Sequence, residues 1–460
     1  MKNNQSLNNT LPPEGAGHDE LALFTDLYEL TMLQAYFKQE MMDEAVFTLF
    51  FRRLPKKRNF MLACGLDTVL HYLENLHFND ENIAYLRSLG KFSPRFLEWL
   101  KDFKFTGEVR AMPEGTPVFP NEPILEIAAP IPQAQLIETF IMNQVHLQTI
   151  LASKARRMVS AAQGRAIVDF GARRMHGIDA AMKAARAFHI GGTAATSNVL
   201  AGKRYNVPVA GTMAHSYIQA HEDELEAFRA FAGIYPRTVL LVDTYDTMAG
   251  IHNVIELSKS LGRDFQVSAV RLDSGDLLAL SKDARKTLDA AGLNQVEIFA
   301  SGGLDEDTIE ELLSSGAPIN GFGVGTSMGV SEDAPSLDIA YKLSEYGGRG
   351  RLKLSSGKPI LPGSKQVFRV EEDGRDVKDI IGQSRETLPG RPLLEQVMQQ
   401  GRRLPAGTPD LEAIRRHARD QTTRLPERIR RITPADPPYP VEVSQALSDL
   451  QQKIERQFSP

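Results

Sequence analysis

The sequence predicts an α/β protein: an irregular α/β barrel with an accessory β-rich α+β domain formed by the N-terminal and C-terminal segments. Two observations predict it. Between residues 165 and 343, short apolar runs alternate with amphipathic helical patterns, which is typical of a parallel sheet covered by helices. On both sides of this region, segments rich in proline or glycine indicate β structure with many turns. An open doubly wound sheet is the alternative to the barrel.

The chain is predicted to divide into four segments, since 460 residues suit two or three domains at about 100–200 residues each. Residues 1–20 are predicted to form a disordered tail, and residues 21–150 an N-terminal α+β domain. Residues 151–345 are predicted to form the barrel, which would be the catalytic domain. Residues 346–460 are expected to return to the accessory domain and to end in a helical or irregular tail.

The N-terminal segment combines helical and strand patterns. FTDLYELTMLQAYFKQEM (24–41) predicts a helix, and the alternating AVFTLFFRRL (45–54) predicts a strand. The proline-rich stretch 112–135 predicts β structure with turns, because proline is confined to turns and sheet edges. Residues 135–162 carry apolar residues at helical spacing and predict a long amphipathic helix.

Six apolar runs predict the strands of the barrel, and five helical patterns lie between them. The runs are 166–170, 207–212, 238–245, 266–275, 296–303 and 318–326, and the helical patterns are 179–188, 216–228, 249–261, 276–292 and 305–316. In α/β folds, ligands bind at the carboxyl ends of the strands. These ends read DFGARR, GTMAH, VDTYD, RLDSGD, SGG and GVGTS. Their shared content of Asp, Arg, Gly, Ser and Thr predicts that the active site lies there.

The composition argues against several classes of protein. Hydrophobic residues make up 42% and charged residues 24% of the chain, as in ordinary globular proteins. The net charge of −5 gives no indication of nucleic-acid binding, and no apolar run reaches the roughly 18 residues that a membrane span needs. The single cysteine, Cys64, lies in an apolar context and is predicted to be part of the core. We therefore expect a cytoplasmic enzyme. The basic stretch 415–432 is interpreted as a solvated face.

Two glycine-rich segments could cradle a phosphate group. In GFGVGTS (321–327) and ASGG (300–303), glycines would let backbone N–H groups approach an anion. Their position after the last predicted strands matches the phosphate site of many barrels. The alternative is that the glycines only form tight turns.

The segment RLDSGD (271–276) offers a cation beside two carboxylates. Arg271 could bind a carboxylate or a phosphate through two parallel hydrogen bonds. Asp273 and Asp276 could bind a ribose or a hydrated Mg²⁺ ion, or the segment could form a salt bridge of its own. Asp243 and Asp246 in VDTYD leave the same possibilities open.

The stretch GTMAHSYIQAH (211–221) holds two histidines where an apolar run meets a helical pattern. His215 and His221 are six residues apart and would point about 240° apart on a helix, so they cannot form an i, i+4 zinc pair. No Cys or Glu stands at metal-ligand spacing nearby, so a structural zinc site is not expected. His215 follows a strand end and is predicted to be an active-site group. His221 lies in an acidic helical pattern and is predicted to be a surface or capping residue.

Taken together, six motifs resemble those of nicotinate phosphoribosyltransferases. They are FTDLYELTM (24–32), DFGARR (169–174), GTMAHS (211–216), VDTYD (242–246), RLDSGD (271–276) and GVGTS (323–327). The resemblance implies that nicotinate and phosphoribosyl pyrophosphate react to give nicotinate mononucleotide and pyrophosphate, a salvage step towards NAD. It also implies coupling to ATP hydrolysis through a phosphohistidine, a requirement for Mg²⁺, and a homodimer whose active sites are shared between subunits.

The same resemblance implies a role for individual residues. His215 would be the phosphorylated histidine, and Asp243 and Asp273 would orient the ribose or Mg²⁺. The implied substrate-binding residues are Tyr28 of the other subunit and Thr212 at nicotinate, Arg271 at the nicotinate carboxylate, Phe170 against the pyridine ring, Arg173 at the substrate anion, Thr326 at the phosphoribosyl group, and Gly303, Gly323 and Gly325 at its 5′-phosphate.

Three other functions are weighed against this one. A nicotinamide phosphoribosyltransferase would carry an Asp where this chain has Ala194, and the absence of that carboxylate favours an acid substrate. A quinolinate phosphoribosyltransferase would need a denser cluster of basic residues for a dicarboxylate and no phosphohistidine. A non-catalytic protein that binds phosphosugars or nucleotides would not need His215, Arg271, Asp273 and Thr326 together.

Overall fold

The computed structural model describes residues 18–354 and 360–458. Most of the predicted tail, residues 1–20, therefore lies outside the described residues. Its last three residues begin a 3₁₀ helix, His18–Leu23. Ala22 of that helix is buried in the hydrophobic core of the N-terminal region.

The N-terminal region contains five strands and six helices. The strands are β1 (Glu44–Phe51), β2 (Met61–Leu62), β3 (Glu108–Ala111), β4 (Pro117–Val118) and β5 (Leu125–Pro130), and the helices are α1 (Leu27–Lys38), α2 (Leu66–Asn75), α3 (Asp80–Ser88), α4 (Pro94–Lys101), α5 (Ile131–Leu136) and α6 (Glu138–Ala161). The predicted helix over 135–162 is present as α6, and α5 precedes it. The predicted strand over 45–54 is β1, in which seven of eight residues are buried.

The central region alternates short strands with helices. The strands are β6 (Ala166–Asp169), β7 (Ala195–Thr196), β8 (Val239–Leu241), β9 (Ala269–Leu272), β10 (Glu297–Ala300) and β11 (Gly321–Val324), and the helices are α7 (Ile178–Gly191), α8 (Val199–Tyr205), α9 (His215–Gln219), α10 (Glu224–Ile234), α11 (Thr247–Leu261), α12 (Leu277–Ala290), α13 (Glu306–Ser314) and α14 (Thr326–Gly329). Short 3₁₀ helices span Ala172–Arg174 and Gly262–Asp264.

The six central strands form one parallel sheet in the order β7-β6-β11-β10-β9-β8. The predicted α/β class and the parallel sheet are confirmed. The sheet is a curled half-barrel, because its hydrogen-bonded ladders in the described ranges stop before the first and last strands meet. Closure into the predicted barrel is therefore not seen. A second large core, distinct from the N-terminal one, packs around this sheet.

The segment 207–212, predicted to be a strand, differs from that prediction. It adds only an isolated parallel bridge between Val209 and Thr196. Pro208 accepts a hydrogen bond from Thr196 through its carbonyl, but proline has no N–H to donate, and regular pairing cannot extend. The short strand β7, which the sequence did not predict, lies between β6 and this segment.

The C-terminal region adds eight strands and three helices. The strands are β12 (Ile339–Tyr346), β13 (Arg349–Gly350), β14 (Lys365–Glu372), β15 (Arg375–Gln383), β16 (Arg391–Pro392), β17 (Glu395–Gln399), β18 (Arg402–Arg403) and β19 (Val441–Val443), and the helices are α15 (Leu411–Arg424), α16 (Glu427–Arg430) and α17 (Gln445–Phe458). A 3₁₀ helix spans Pro405–Gly407.

Strands from both ends of the chain share one antiparallel sheet in the order β13-β12-β1-β5-β3-β17-β18. A four-stranded sheet, β16-β14-β15-β19, and the pair β2-β4 complete the β structure of the described residues. No helix in the ranges 18–354 and 360–458 is both long and apolar enough to cross a bilayer.

Candidate active site

The carboxyl ends of the parallel strands lie at one edge of the half-barrel. The residues paired at this edge are Asp169 with Thr196 and Val324, Ala300 with Leu272 and Phe322, and Leu241 with Arg271. Because each strand ends in register with its neighbours, the polar loops that follow are brought together.

His215 is the first residue of α9 and contacts two of these loops. Its Nδ1 lies 3.1 Å from Thr244 Oγ1, in the loop after β8. Its Nε2 lies 3.8 Å from Asp273 Oδ2, in the loop after β9. The His215 side chain is 40% exposed, so its ring is both positioned by the protein and open to a ligand.

Asp243 connects the loops that follow β8 and β9. Its Oδ2 accepts hydrogen bonds from the Asp273 N–H at 2.9 Å and from Ser274 Oγ at 2.6 Å. Its Oδ1 is buried and has no hydrogen-bond partner within the described part of the chain. Asp273 in turn accepts a hydrogen bond from Ser301 Oγ, in the loop after β10. The two carboxylates therefore hold three loops in place and keep acceptor oxygens available.

These carboxylates fit a magnesium ion that is shared with a substrate. Mg²⁺ prefers oxygen ligands and is usually held by one or two carboxylates together with substrate phosphates. Asp243 Oδ1 is a buried acceptor without a partner, and Asp273 is partly exposed. Among the described residues there is no group of three or more His, Cys, Asp or Glu side chains that could hold a metal by themselves. The donor set would suit Mg²⁺ bound together with a phosphate-bearing ligand.

Arg271, near the end of β9, forms the cationic part of the site. Its Nη1 donates to Thr212 Oγ1 at 3.0 Å, and its Nη2 donates to the Met213 carbonyl at 3.3 Å. Its Nε is buried without a partner. Burial lowers the pKa of Arg271, although a guanidinium stays protonated in proteins. Both hydrogen bonds lead to the segment 212–213 and not to Asp273 or Asp276, the carboxylates of the salt bridge that the RLDSGD segment left open.

Phe170 covers the floor of the site beside Arg271. The Arg271 Cζ atom lies 5.9 Å from the centroid of the Phe170 ring. A Cβ atom on Gly323 would lie 2.3 Å from Phe170 Cε2, and Phe299 approaches the same position. Gly323 therefore makes room for these aromatic rings. That Gly323 also lines the 5′-phosphate through its backbone stays a prediction.

The remaining predicted phosphate residues lie at the open end of the loops. Thr326 begins α14 and is exposed, and Gly325 precedes it. Gly303 has open space where a side chain would stand. Its neighbour Gly302 has φ +91°, and a Cβ there would lie 1.9 Å from the Asp273 carbonyl oxygen. Only glycine allows the loop after β10 to pass this close to Asp273.

Asp169 fixes the turn of the DFGARR motif. Its Oδ1 accepts from the Gly171 N–H at 2.8 Å, and its Oδ2 accepts from Thr196 Oγ1 at 2.7 Å. The side chain is fully buried, which raises the pKa of Asp169 while the two hydrogen bonds act in the opposite direction. Asp169 thereby attaches β7 to the loop that presents Phe170.

Two of the four aspartates singled out in the sequence are helix caps. Asp246 Oδ1 accepts from the Ala249 N–H at 2.7 Å at the start of α11. Asp276 Oδ1 accepts from the Ala279 N–H at 3.0 Å at the start of α12. These bonds satisfy N–H groups that a helix leaves unpaired. Among these four carboxylates, Asp273 lies against His215, and Asp243 accepts a hydrogen bond from the Asp273 N–H.

Tyr28 lies apart from this cluster of contacts, whereas the charge of Arg173 reaches Arg271 and contributes to lowering its pKa. Tyr28 is in the first turn of α1 and is 50% exposed. Burial and the charges of Glu138 and Glu29 raise the pKa of Tyr28. Arg173 is exposed on the 3₁₀ helix after Phe170.

His221 and Ala194 make their described hydrogen bonds outside the cluster around His215. His221 Nδ1 lies 2.8 Å from the Tyr217 carbonyl oxygen, one turn earlier. Ala194 follows α7, and its N–H bonds to the Ile167 carbonyl inside the sheet. Ala194 lies just before β7, at the opposite end of that strand from Thr196, its carboxyl end. Its position therefore gives little evidence about the substrate.

The sequence interpretation missed several polar residues that shape this site. They are Asp169, Thr196, Thr244, Ser274 and Ser301, whose contacts are given above. Four of them stand inside or next to the motifs that were recognised, so their place at strand ends was a usable signal. Thr196 was missed because β7 has only two residues and carries too little apolar pattern to be detected.

Comparisons with known proteins agree over most of the chain. Family models match as the nicotinate phosphoribosyltransferase N-terminal domain (residues 23–146), family (165–383) and C-terminal domain (387–451). The nicotinate phosphoribosyltransferase pncB2 of Mycobacterium tuberculosis is 56% identical over 423 residues, covering 92% of this chain and 91% of that one. The nicotinate phosphoribosyltransferase of Bacillus subtilis is 37% identical over 464 residues, with 94% of each chain covered. The crystal structure of human nicotinic acid phosphoribosyltransferase superposes with a TM-score of 0.83 at 29% identity, covering 94% of this chain and 99% of that chain.

Proposed function

The chain belongs to the nicotinate phosphoribosyltransferase family, and from this premise we propose that it makes nicotinate mononucleotide and pyrophosphate from nicotinate and phosphoribosyl pyrophosphate. The observation that carries the proposal is the meeting of His215 and Asp273 beside the hydrogen-bonded pair of Arg271 and Thr212. The product would enter NAD synthesis by salvage of nicotinate in the cytoplasm.

The transfer step exchanges one bond at C1 of the ribose. The ring nitrogen of nicotinate forms a bond to C1, and the bond from C1 to the pyrophosphate oxygen breaks, so pyrophosphate leaves with the electron pair. The buried Nε of Arg271 supports an ionic contact with the nicotinate carboxylate, because it is a charged donor without a partner in the described chain. The Phe170 ring beside it offers a flat apolar surface on which the pyridine ring can be oriented.

We further propose that His215 accepts a phosphoryl group from ATP. In the tautomer whose Nδ1–H donates to Thr244 Oγ1, Nε2 presents its lone pair to the phosphorus atom. The N–P bond forms as the bond from phosphorus to the ADP oxygen breaks, and water later releases phosphate from the histidine. Asp243 and Asp273 would hold Mg²⁺, which when bound compensates the negative charge of the phosphates.

The proposed enzyme is a homodimer in which Tyr28 reaches the active site of the other subunit. Three large side chains at the start of α1 are exposed together: Phe24 at 42%, Leu27 at 47% and Tyr28 at 50%. An apolar surface of this kind suits a protein interface. Within one chain, the described contacts of Tyr28 stay in the N-terminal region, so a role at nicotinate requires a second copy.

The test is base-dependent release of pyrophosphate from phosphoribosyl pyrophosphate by the purified full-length protein, with and without ATP. Nicotinate, nicotinamide and quinolinate are each supplied as the base. We expect pyrophosphate release with nicotinate and an increase when ATP is added. A clear preference for nicotinamide or quinolinate would assign one of the related reactions instead. No release with any base would point to a non-catalytic binding protein.

A further inference from the structure

Three arginines gather at the edge of the half-barrel opposite the active site. Arg156 lies in the last turns of α6, Arg415 lies in α15, and Arg430 ends α16. Arg156 and Arg415 both approach Gly192, where α7 ends and the chain turns towards β7, and the charge of Arg430 acts on Arg156. This is the side from which the strands begin, so the cluster is separate from the loops that carry His215.

Arg415 is fixed against the backbone of this turn. Its Nη1 donates to the Thr193 carbonyl at 2.6 Å and lies 2.8 Å from His189 Nδ1, while its Nη2 donates to the Gly192 carbonyl at 3.2 Å. Because an arginine nitrogen can only donate, His189 Nδ1 must be the acceptor. The Nε2–H of His189 then donates to Glu412 Oε1 at 2.6 Å.

Arg156 approaches the same glycine from the other side. Its Nη1 lies 3.7 Å from the point where a Cβ atom of Gly192 would stand. Its Nη2 reaches Ser160 Oγ only at 3.5 Å, the outer limit of a hydrogen bond. Its Nε is buried with no partner in the described part of the chain.

Arg430 contributes a third guanidinium, and at least one of its N–H groups has no partner in the described residues. Its Nε is also buried without a partner among residues 18–354 and 360–458. Burial lowers the pKa of Arg156, and the positive charges of Arg415 and Arg430 add to the effect. None of these three side chains lies within 4 Å of a carboxylate in the described residues, although the nearby charge of Glu412 acts favourably on Arg415. Charges placed together like this are unfavourable unless an opposite charge compensates them.

We propose that Arg156, Arg415 and Arg430 form a binding site for a phosphate-bearing anion. A dianion would compensate more than one guanidinium, and the oxygens of a phosphate group can accept from donors that arrive from three helices. A planar carboxylate matches a single guanidinium better than three. The ligand is inorganic phosphate or the phosphate group of a nucleotide, and the site binds it independently of the reaction proposed above.

The test is to count bound ligands in the full-length protein by equilibrium dialysis with radiolabelled inorganic phosphate, and in a second arm with ATP, at constant ionic strength. The comparison is between the native chain and Arg156→Gln. Binding at the proposed active site contributes equally to both proteins, so the difference isolates the arginine cluster. We expect Arg156→Gln to lose one bound phosphate per chain, or to weaken that site at least tenfold. If the loss appears at a lower concentration of inorganic phosphate than of ATP, the ligand is inorganic phosphate. The opposite order identifies the phosphate group of a nucleotide.

The matched control is Arg416→Gln, which removes the same charge from an exposed position next to Arg415. It should bind phosphate like the native chain. Without phosphate, Arg156→Gln should unfold no more readily than the native chain, because it removes a repelling charge. Equal phosphate binding by the native chain and Arg156→Gln would overturn the proposal. So would weaker subunit association with unchanged phosphate binding, which would mean that carboxylates of another subunit fill the site.

Discussion

At the scale of single residues, His215 and His221 can be separated by experiment. We predict that His215→Ala lowers nicotinate-dependent ATP hydrolysis by about a hundredfold or more, because the nucleophilic nitrogen is lost. Pyrophosphate release without ATP should persist in part, since Arg271 and Phe170 are unchanged. Both rates are measured in the same preparation, with ADP and pyrophosphate as readouts.

The matched control is His221→Ala, which removes a ring from the same segment. His221 Nδ1 contacts the Tyr217 carbonyl one turn earlier and its ring packs against the Tyr217 ring, so its described contacts do not involve the loops that hold His215. Both rates should stay near those of the native protein. Native ATP hydrolysis in His215→Ala would contradict the phosphohistidine assignment.

Glu29 makes the free energy of unfolding depend on pH, and the direction of the change follows from its burial. It is fully buried, its Oε2 accepts from Gln135 at 2.7 Å, and its Oε1 has no partner in the described residues. Burial is the largest cause that raises the pKa of Glu29 from 4.5 to about 7. Between these values the unfolded chain loses this proton first. The free energy of unfolding therefore falls as pH rises through this window, by about 3 kcal/mol at most for a shift of this size.

We predict that Glu29→Gln removes this part of the pH dependence. The amide stays neutral and can still accept from Gln135, so the variant should be more stable than the native chain at pH 8 and about equally stable at pH 4.5. Urea unfolding at a series of pH values measures the difference. A native and a variant curve that run parallel from pH 4.5 to 8 would show that Glu29 is not the titrating group.

At the scale of elements, strand β11 has a glycine where the Phe170 ring packs against it. We predict that Gly323→Ala lowers the free energy of unfolding by about 1–3 kcal/mol, because the new methyl group overlaps the rings of Phe170 and Phe299. The KM for nicotinate should rise as Phe170 is displaced. Thermal unfolding and initial rates at varied nicotinate concentration check the two effects.

The control for this substitution is Gly233→Ala in α10. No atom lies within 4 Å of the position that its Cβ would take, and alanine favours a helix. Its stability and KM should therefore be unchanged or slightly improved. If Gly323→Ala also left both values unchanged, β11 would have room for a side chain and Phe170 would not depend on that glycine.

Some helices of the central region were predicted closely from the sequence, and one predicted helix was not. Regular apolar periodicity predicted α7, α11, α12 and α13 closely, because each buries one continuous face. The predicted helix over 216–228 is instead α9 and α10, since Asp223 accepts from the Glu226 N–H and caps a new helix. A local hydrogen bond therefore divides a pattern that periodicity alone reads as continuous.

At the scale of the whole molecule, long-range pairing was the hardest feature to predict. β17 pairs with β3 although nearly three hundred residues separate partners such as Gln396 and Arg110. A pattern of alternating residues identifies a strand but not its neighbour, which is chosen by the packing of the complete sheet. The site was easier to predict, because the ends of consecutive parallel strands must share one edge. Thr196 needed the structure, because β7 has only two residues and carries too little pattern to be detected.

The shared active site of the proposed dimer can be tested by mixing two defective chains. We predict that Tyr28→Ala and Arg271→Ala are each weakly active alone, since each dimer then lacks one of the two groups in both of its sites. When both chains are expressed together and assemble at random, half of the dimers are hybrids, and one site in each hybrid has both Tyr28 and Arg271. Activity should then recover to about a quarter of the native value in the mixture, and to about half of it in purified hybrids, as expected for two-fold symmetry.

The recovered activity is measured as nicotinate-dependent pyrophosphate release after purification with a different tag on each chain, so that only hybrids are assayed. The control is a mixture of Arg271→Ala with His215→Ala. Both residues belong to one chain's cluster, in which Arg271 holds Thr212 and the Met213 carbonyl just before His215. In that mixture every site lacks one of the two groups, and no recovery is expected. Equal activity of the two kinds of hybrid would mean that Tyr28 acts within its own subunit, and the exposed surface around Phe24 and Leu27 would then need another explanation.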